Sequence, residues 1–531
     1  MSKKRIIILG GGFAGINTAM QLERRLRRRS DIEITLISQE NYLVFQPMLP
    51  EVISGNIGIL DTVTPLRRLA PKTQIFIREV SAVDVANQTV SLAPAFEKAE
   101  THLKYDHLVV ALGNVTDFRQ IPGLHDHAFP FKNLQHALRL RDHLIRVLSE
   151  ASITQDATLR QQLLTFVVGG GGFSGVEVCA ELNDFVRDCA GRYFNLNPDE
   201  VRVILVHAGD RILNHEMPES LGIYAQKLLQ KRGVEFIFNM LIKTATPDFA
   251  VLGDGQRIQT KTLVSSVPSS PNPLVLNIDV PLERGRIKSQ LSMQVEGTNN
   301  IWALGDCALI PNPHGEGFCP PTAQFAIREA KTCATNILAV IDDRPLTDFA
   351  FTELGKMASL GHRRAIIRMF DKINLHGFIA WVIWRMAYWV KLPGFDRKIK
   401  VGISWFTDIL CGRELVQTGM DLPAAVTESH FEPGEMVLEQ GEPSARVSIL
   451  REGKAEILKT RPDATPEVIG QLEAGDCLGI DEFLDDTSAN YSIRCLEKMN
   501  VVSYQRKELA PLLTLPEIRQ GMEKLRWPKE R

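Results

Sequence analysis

The amino-acid sequence predicts an α/β protein: two doubly wound, Rossmann-like units, then a C-terminal amphipathic segment, then a small β-roll. Two glycine turns and one punctuated strand pattern carry that prediction. "GGGFAG" at 10–15 and "GGGFSG" at 170–175 each complete G-x-G-x-x-G behind an apolar strand. One such turn is weak evidence, but two of them in a strand–turn–helix frame are much stronger. Residues 430–458 alternate short apolar runs with Pro-Gly, Gly-Glu and Glu-Gly turns, the punctuation of short strands.

Composition narrows the class. The 531 residues allow three or four domains, and 44% hydrophobic with 23% charged residues suits a folded globular chain. A formal net charge of −2 gives no bulk attraction to nucleic acid. Eight scattered Cys without a C-x-x-C pair read as a reduced, cytosolic thiol set. The basic opening "MSKKRIIILGGG" runs straight into glycines, which reads as a strand rather than an export signal.

In the first cradle, Gly10 allows the tight turn, Gly12 lets backbone approach a pyrophosphate, and Gly15 lets helix and strand pack closely. Phe13 and Ala14 open the helix, whose N-terminal amides point at the phosphates. The return strand 33–38 ends at Ser38, with Glu40 two positions on as a candidate ribose contact or a solvated loop residue. The second cradle repeats the arrangement with Gly170, Gly172, Phe173, Ser174 and Gly175. Its return strand ends at His207, where a carboxylate would favour NADH over NADPH. Arg211 stands close enough in sequence to attract a 2′-phosphate, so the choice of nicotinamide cofactor stays open. Two further segments fit the same frame. "YDHLVVALGN" (105–114) places Ala111 and Gly113 in a small-residue turn, and "NNIWALGDCALIP" (299–311) places Gly305 and Asp306 at a strand end.

Together these motifs resemble the two-dinucleotide-binding flavoprotein oxidoreductases, and in detail the type II (alternative) NADH:quinone oxidoreductases. The resemblance covers about residues 1–410. It implies FAD in the first cradle, NADH or NADPH in the second, and a quinone as electron acceptor without proton pumping. It implies that "NYLVFQPMLPEV" (41–52) lines the isoalloxazine ring through Gln46 and Pro47, and that Glu177 of "GVEV" handles a proton or hydride there. "PPTAQFAIREA" (320–330) resembles the quinone-site segment through Ala323 and Gln324, with Arg328 where the family has a second Gln. "SSVPSSPNP" (265–273) departs from the family's segment near the nicotinamide. The expected organisation is an FAD domain at 1–125 returning at 291–345, a nicotinamide domain at 126–290, a membrane or dimer segment at 346–412, and the β-roll at 413–531.

No Cys precedes Cys179, so the thiol relays of disulfide and sulfide:quinone reductases are not expected. Cys319 reads as a small apolar residue, "HDH" at 125–127 as a loop, and "RRLRRR" at 24–29 as a solvated helix end.

"GFIAWVIWRMAYWVKLPG" (377–394) is apolar and rich in Trp, yet too short to span a bilayer, and Arg385 interrupts it. Trp381, Trp384, Tyr388 and Trp389, with flanking Lys and Arg, suit a headgroup boundary. The segment is read as an interfacial helix on the cytoplasmic face of a membrane, with a buried homodimer helix as the alternative.

Residues 428–515 resemble a cyclic-nucleotide-binding β-roll, following a linker at 413–428. Its ligand contacts do not follow: Gly479–Ile480 replaces Gly-Glu, and Ser488, Ala489 and Asn490 stand where a phosphate-binding Arg belongs. Asp481, Glu482, Asp485 and Asp486 would repel a phosphate, and Arg494 is expected to point outward. These residues argue against cyclic AMP or cyclic GMP binding in the usual manner.

Overall fold

The computed structural model describes residues 3–95, 100–116, 121–266, 269–410, 416, 426–441, 446–461, 465–485, 487, 489–505, 509 and 515–525. Most of the linker at 413–428, and the loop positions Asp486 and Ser488, lie outside the described residues.

Two five-stranded parallel sheets form the core. The first has the spatial order 301–303, 107–110, 4–9, 32–38, 74–77. Its central strand, Lys4–Leu9, buries Ile6, Ile7, Ile8 and Leu9 almost completely, as a strand covered on both faces requires. The helix Phe13–Arg25 covers this sheet and packs on the return helix Ala323–Ile341, with Ile16, Ala19 and Leu22 buried against Ala330 and Ile337. The second sheet repeats the plan in the order 128–130, 262–265, 165–169, 202–206, 234–237. Its cradle helix, Phe173–Ala190, buries Val176, Cys179, Leu182, Phe185 and Val186 in a core shared with the helix Leu134–Ile153.

In each sheet the chain leaves the central strand, returns to one side, and later fills the other. That reversal opens a crevice at the carboxyl end of the central strand. The register fixes it: Leu9 pairs with Ile37 on one side and Val110 on the other, and Gly169 pairs with Val206 and Ser265.

A three-stranded antiparallel sheet (355–359, 365–369, 373–377) leads into the helices Phe378–Lys391 and Phe395–Leu410. Beyond them, two four-stranded sheets enclose Leu450, Ile457, Ile493 and Val501, which gives the expected β-roll. One local expectation changes: residues 125–127 close a single helical turn, Leu124–His127, after the left-handed Gly123, rather than an irregular loop.

Candidate active site

A cavity of about 980 Å³ opens at the carboxyl end of the first sheet. Its floor is Gly10, Gly12, Phe13 and Ala14, and its walls include Glu40, Gln46, Ala111, Gly113, Gly305, Asp306 and Ala323. Gly10 has φ +105°, and a Cβ there would collide with the carbonyl of Ala111. Gly15 does not line the cavity; a Cβ there would strike the Gly10 carbonyl, so its role is close packing. At Gly12 nothing lies within 4 Å of where a Cβ would stand. The cradle thus leaves bare backbone facing open space, which fits the diphosphate of a dinucleotide. The volume lies at the upper end of the range for ligand pockets.

Several residues in this wall escaped sequence reasoning. Lys132 donates from Nζ to the Asn114 carbonyl at 2.5 Å, and Asn114 Nδ2 donates to Asp306 at 3.3 Å. Burial pushes the Asp306 carboxyl up, against the opposing pull of Lys132 and Arg286. Behind the turn, buried Glu329 accepts the Gly305 amide at 2.9 Å, and burial pushes its carboxyl up to about 7. Glu40 is exposed at the cavity edge beside Tyr42. Gln46 reaches the Lys132 carbonyl at 3.3 Å, whereas its neighbour Pro47 is not among the cavity-lining residues.

The second cradle has the same backbone and different company. Gly170 has φ +110°, and a Cβ at Gly175 would strike the Gly170 carbonyl. Ser174 is exposed at the helix start, next to half-buried Phe173. His207 turns onto the cradle itself: its Nδ1 accepts the Gly171 amide at 3.0 Å, and Nε2 lies 3.3 Å from Asn214 Oδ1. Accepting at Nδ1 leaves the proton on Nε2 to donate to Asn214. Arg211 does not face a ligand position; its Nη atoms donate to the carbonyls of Ile212, Leu213, Asn214 and Met217. Glu216, which the sequence did not single out, places Oε1 at 2.9 Å from the Cβ position of Gly172, and its buried Oε2 has no partner among the described residues.

The two cradles meet through aromatic rings. Phe13, on the first cradle helix, packs edge-on against Phe45, which packs edge-on against Tyr388, with centroids 6.1 and 5.9 Å apart. Tyr388 in turn lies in the field of Glu177, on the second cradle helix. Glu177 Oε1 accepts the Ser359 amide at 2.9 Å, and burial pushes its carboxyl up to about 8. Gln324 Nε2 donates to the Gly355 carbonyl at 3.0 Å. Glu177 and Gln324 are therefore tied to opposite ends of one strand, Gly355–Ser359. Arg328 donates to the Gln324 carbonyl and stacks 3.9 Å from the centroid of Phe351.

Arg385, which interrupts the apolar run, turns inward. It is buried between the rings of Trp381 and Trp405 and pairs with buried Glu51 at 3.3 Å, while Trp405 Nε1 donates to the same carboxylate at 2.9 Å. Cys319 is buried and bonded through Sγ to the Pro311 carbonyl. In the β-roll, Arg494 does point outward, to Glu456. Glu482 is fully buried and accepts the Asn490 amide at 3.2 Å, so a carboxylate already occupies that backbone donor.

Three family models match successive parts of the chain: pyridine nucleotide-disulphide oxidoreductase at 4–330, the NDH2 C-terminal domain at 354–414, and the cyclic nucleotide-binding domain at 428–514. A probable NADH dehydrogenase from Dictyostelium discoideum is 30% identical over 430 residues, covering 78% of this chain and 91% of that protein. The type II NADH:quinone oxidoreductase NdhA of Mycobacterium tuberculosis is 29% identical, over 76% of this chain and 86% of its own. Among solved structures, NDH2 from Plasmodium falciparum in complex with NADH superposes with a TM-score of 0.71 at 18% identity, covering 78% of this chain and all of that one. The aromatic junction between two glycine cradles thus sits in a chain that belongs to the pyridine nucleotide-disulphide oxidoreductase family, among the type II NADH:quinone oxidoreductases.

Proposed function

We propose that this protein is a flavin-dependent NAD(P)H:quinone oxidoreductase whose chemistry is centred on the junction of Phe45, Tyr388 and Glu177. The observation that carries the reading is the convergence there of both cradle helices, the 41–52 segment and the aromatic C-terminal helix. Bound FAD supplies a two-electron carrier between the nicotinamide and the quinone. Gly10, Gly12, Phe13 and Ala14 offer backbone to its diphosphate, with Gly15 packing beneath them. Asp306, Ala111, Gly113, Gly305 and Lys132 would hold its ribityl end, and Glu40, at the cavity edge, would meet its adenosine ribose. Gln46 and Ala323 would border its ring, with Pro47 behind Gln46 in the chain. Gly170, Gly172, Phe173, Ser174, Gly175 and His207 receive the nicotinamide cofactor.

Glu177 holds a proton near neutral pH, because burial disfavours its charged form. With Oε1 committed to Ser359, Oε2 is the atom that carries it. Gln324 is placed to orient the quinone headgroup from the far end of the same strand.

Quinones partition into lipid, and the apolar hairpin suits peripheral docking. Phe378, Ile379, Met386, Val390, Ile403 and Phe406 are exposed along its two helices, flanked by Lys391, Lys398 and Lys400. Among the described residues, no helix is long and apolar enough to cross a membrane. The cytoplasmic face and a homodimer sharing this surface complete the reading.

The test is an anaerobic titration of flavin-loaded protein with NADH, then NADPH, followed by a ubiquinone or menaquinone analogue. Bleaching of flavin absorbance and fast reoxidation by quinone are expected. Bleaching without reoxidation would overturn the quinone assignment in favour of a soluble acceptor.

A further inference from the structure

We propose that Glu181 and Glu51 form a proton relay that joins bulk water, through a second cavity, to Glu177. The proposal rests on the NAD(P)H:quinone reading above. The need for such a route follows from the stoichiometry of that reaction. NAD(P)H yields two electrons and one hydrogen nucleus, whereas a quinone becomes a hydroquinone with two electrons and two protons. One proton per turnover must therefore come from water.

A cavity of about 630 Å³ lies apart from the flavin site, with Glu51, Glu181, Asp184, Asp188, Arg232 and Arg385 in its wall. Glu177, Glu181, Asp184 and Asp188 occur on the helix Phe173–Ala190 at intervals of four, three and four residues. That spacing sets all four on one helical face, with rises of roughly 6, 4.5 and 6 Å between neighbours. Burial is graded along this line: Asp188 is exposed, Asp184 is half-buried, and Glu181 is 2% exposed. The line runs inward from solvent to Glu181, one turn along the helix from the partly buried Glu177.

Glu51 joins the line from the neighbouring helix Leu49–Ser54 and is also 2% exposed. Asn56, just past that helix, donates to Glu181 Oε2 at 3.2 Å. Glu181 and Glu51 both push the carboxyl of partly buried Glu177 up, and Glu181 pushes Glu51 up. Raised in this way, the carboxyls of Glu177 and Glu51 favour the protonated form. Arg385 opposes this at Glu51, Arg232 pairs with Asp184, and Tyr388 faces Glu177. The cationic partners thus hold Glu51 and the outer Asp184, while Glu181 accepts the Asn56 amide at Oε2. In the proposed sequence a proton enters past Asp188 and Asp184, is held on Glu181 or Glu51, and reaches Oε2 of Glu177.

The experiment mixes the NADH-reduced holoenzyme with a ubiquinone analogue in weak buffer containing a pH-indicator dye. Glu181→Gln should leave flavin bleaching by NADH unchanged while slowing reoxidation and proton uptake by at least about tenfold, a modest share of what a positioned acid contributes. Glu181→Asp should retain most of the rate. Formate, small enough to enter the cavity, should restore Glu181→Gln, which a purely structural defect would not allow. Wild-type proton uptake in Glu181→Gln would overturn the relay. Should that variant not hold flavin, Glu51→Gln is judged by the same criteria. Should neither hold it, the wild-type infrared difference spectrum decides: the relay requires more than one carboxylic-acid band to change on reoxidation, and a single band overturns it. A wild-type enzyme that bleaches but is not reoxidised by quinone sinks the earlier reading instead.

Discussion

The two glycine cradles are nearly the same object in different settings. Both bend at a left-handed glycine, Gly10 or Gly170, and both pack the third glycine against the first one's carbonyl. Around the first, strand ends and the return segment stand back, so that Gly12 faces open space in a large cavity. Around the second, side chains lean in: His207 bonds Gly171, and Glu216 hangs over Gly172. The motif specifies a backbone shape, and the surrounding side chains decide how tightly and how permanently that shape is filled. An open, walled crevice suits a resident cofactor, and a cradle crowded by its own polar groups suits a substrate that comes and goes.

Substituting the third glycine separates the two roles most sharply. Gly15→Val should abolish flavin binding, because its Cβ meets backbone that cannot yield; the purified protein should be colourless. Gly175→Val should stay yellow while its reduction by NADH falls by ~100-fold or more, the factor that about 2.8 kcal/mol represents. A colourless Gly175→Val would mean that the cradles are not independent.

Next in size is Lys132, the cation that faces Asp306 in the first site. Lys132→Met should weaken FAD by roughly 10- to 100-fold, the worth of one charged hydrogen bond, and leave the KM for NADH unchanged. Both quantities follow from fluorescence titration and steady-state kinetics.

The pH dependence should separate the junction from both cradles. Burial raises the Glu177 carboxyl to about 8, so the protonated form dominates below that pH and is lost as pH rises through it. Quinone-driven reoxidation should fall above about pH 8, and Glu177→Gln should remove that inflection. The same shift makes the fold less stable as pH rises from the ordinary carboxylate range toward 8, because only the charged form pays for burial. Thermal melts of Glu177→Gln should lose that slope.

The smallest effect belongs to Glu216. Glu216→Gln removes a negative charge beside Gly172 and should lower the KM for NADH by about threefold to tenfold, with kcat unchanged, as expected for roughly 1 kcal/mol of uniform binding. A raised KM would mean instead that the carboxylate holds a ribose hydroxyl.

Much of this was legible in the sequence because glycine spacing and strand hydrophobicity are local. Gly10, Gly12 and Gly15 announce their roles within six residues, and the Gly305–Asp306 turn follows its own strand. What was not legible depends on distant partners. Glu51 gives no sequence signal, since Arg385 and Trp405 stand 334 and 354 residues away. Glu329 looks like an ordinary helical residue until its bond to Gly305 is seen. The inward turn of Arg211 and Arg385 was not legible for one reason: a guanidinium with many donors finds carbonyls or a carboxylate inside the fold, and charge alone does not reveal which way it turns.

The pairing of Arg385 with Glu51 has a mechanical consequence. Had the apolar hairpin hung on a free linker, contact with lipid would have told the enzyme core nothing about depth or tilt. With Trp381, Arg385 and Trp405 clasped onto a buried carboxylate, the hairpin behaves as a rigid mount rather than a tether. On the proposed peripheral docking, seating it in a bilayer would level the whole oxidoreductase against the membrane plane in one event, and tryptophan quenching by depth-graded lipid probes should report a single immersion depth.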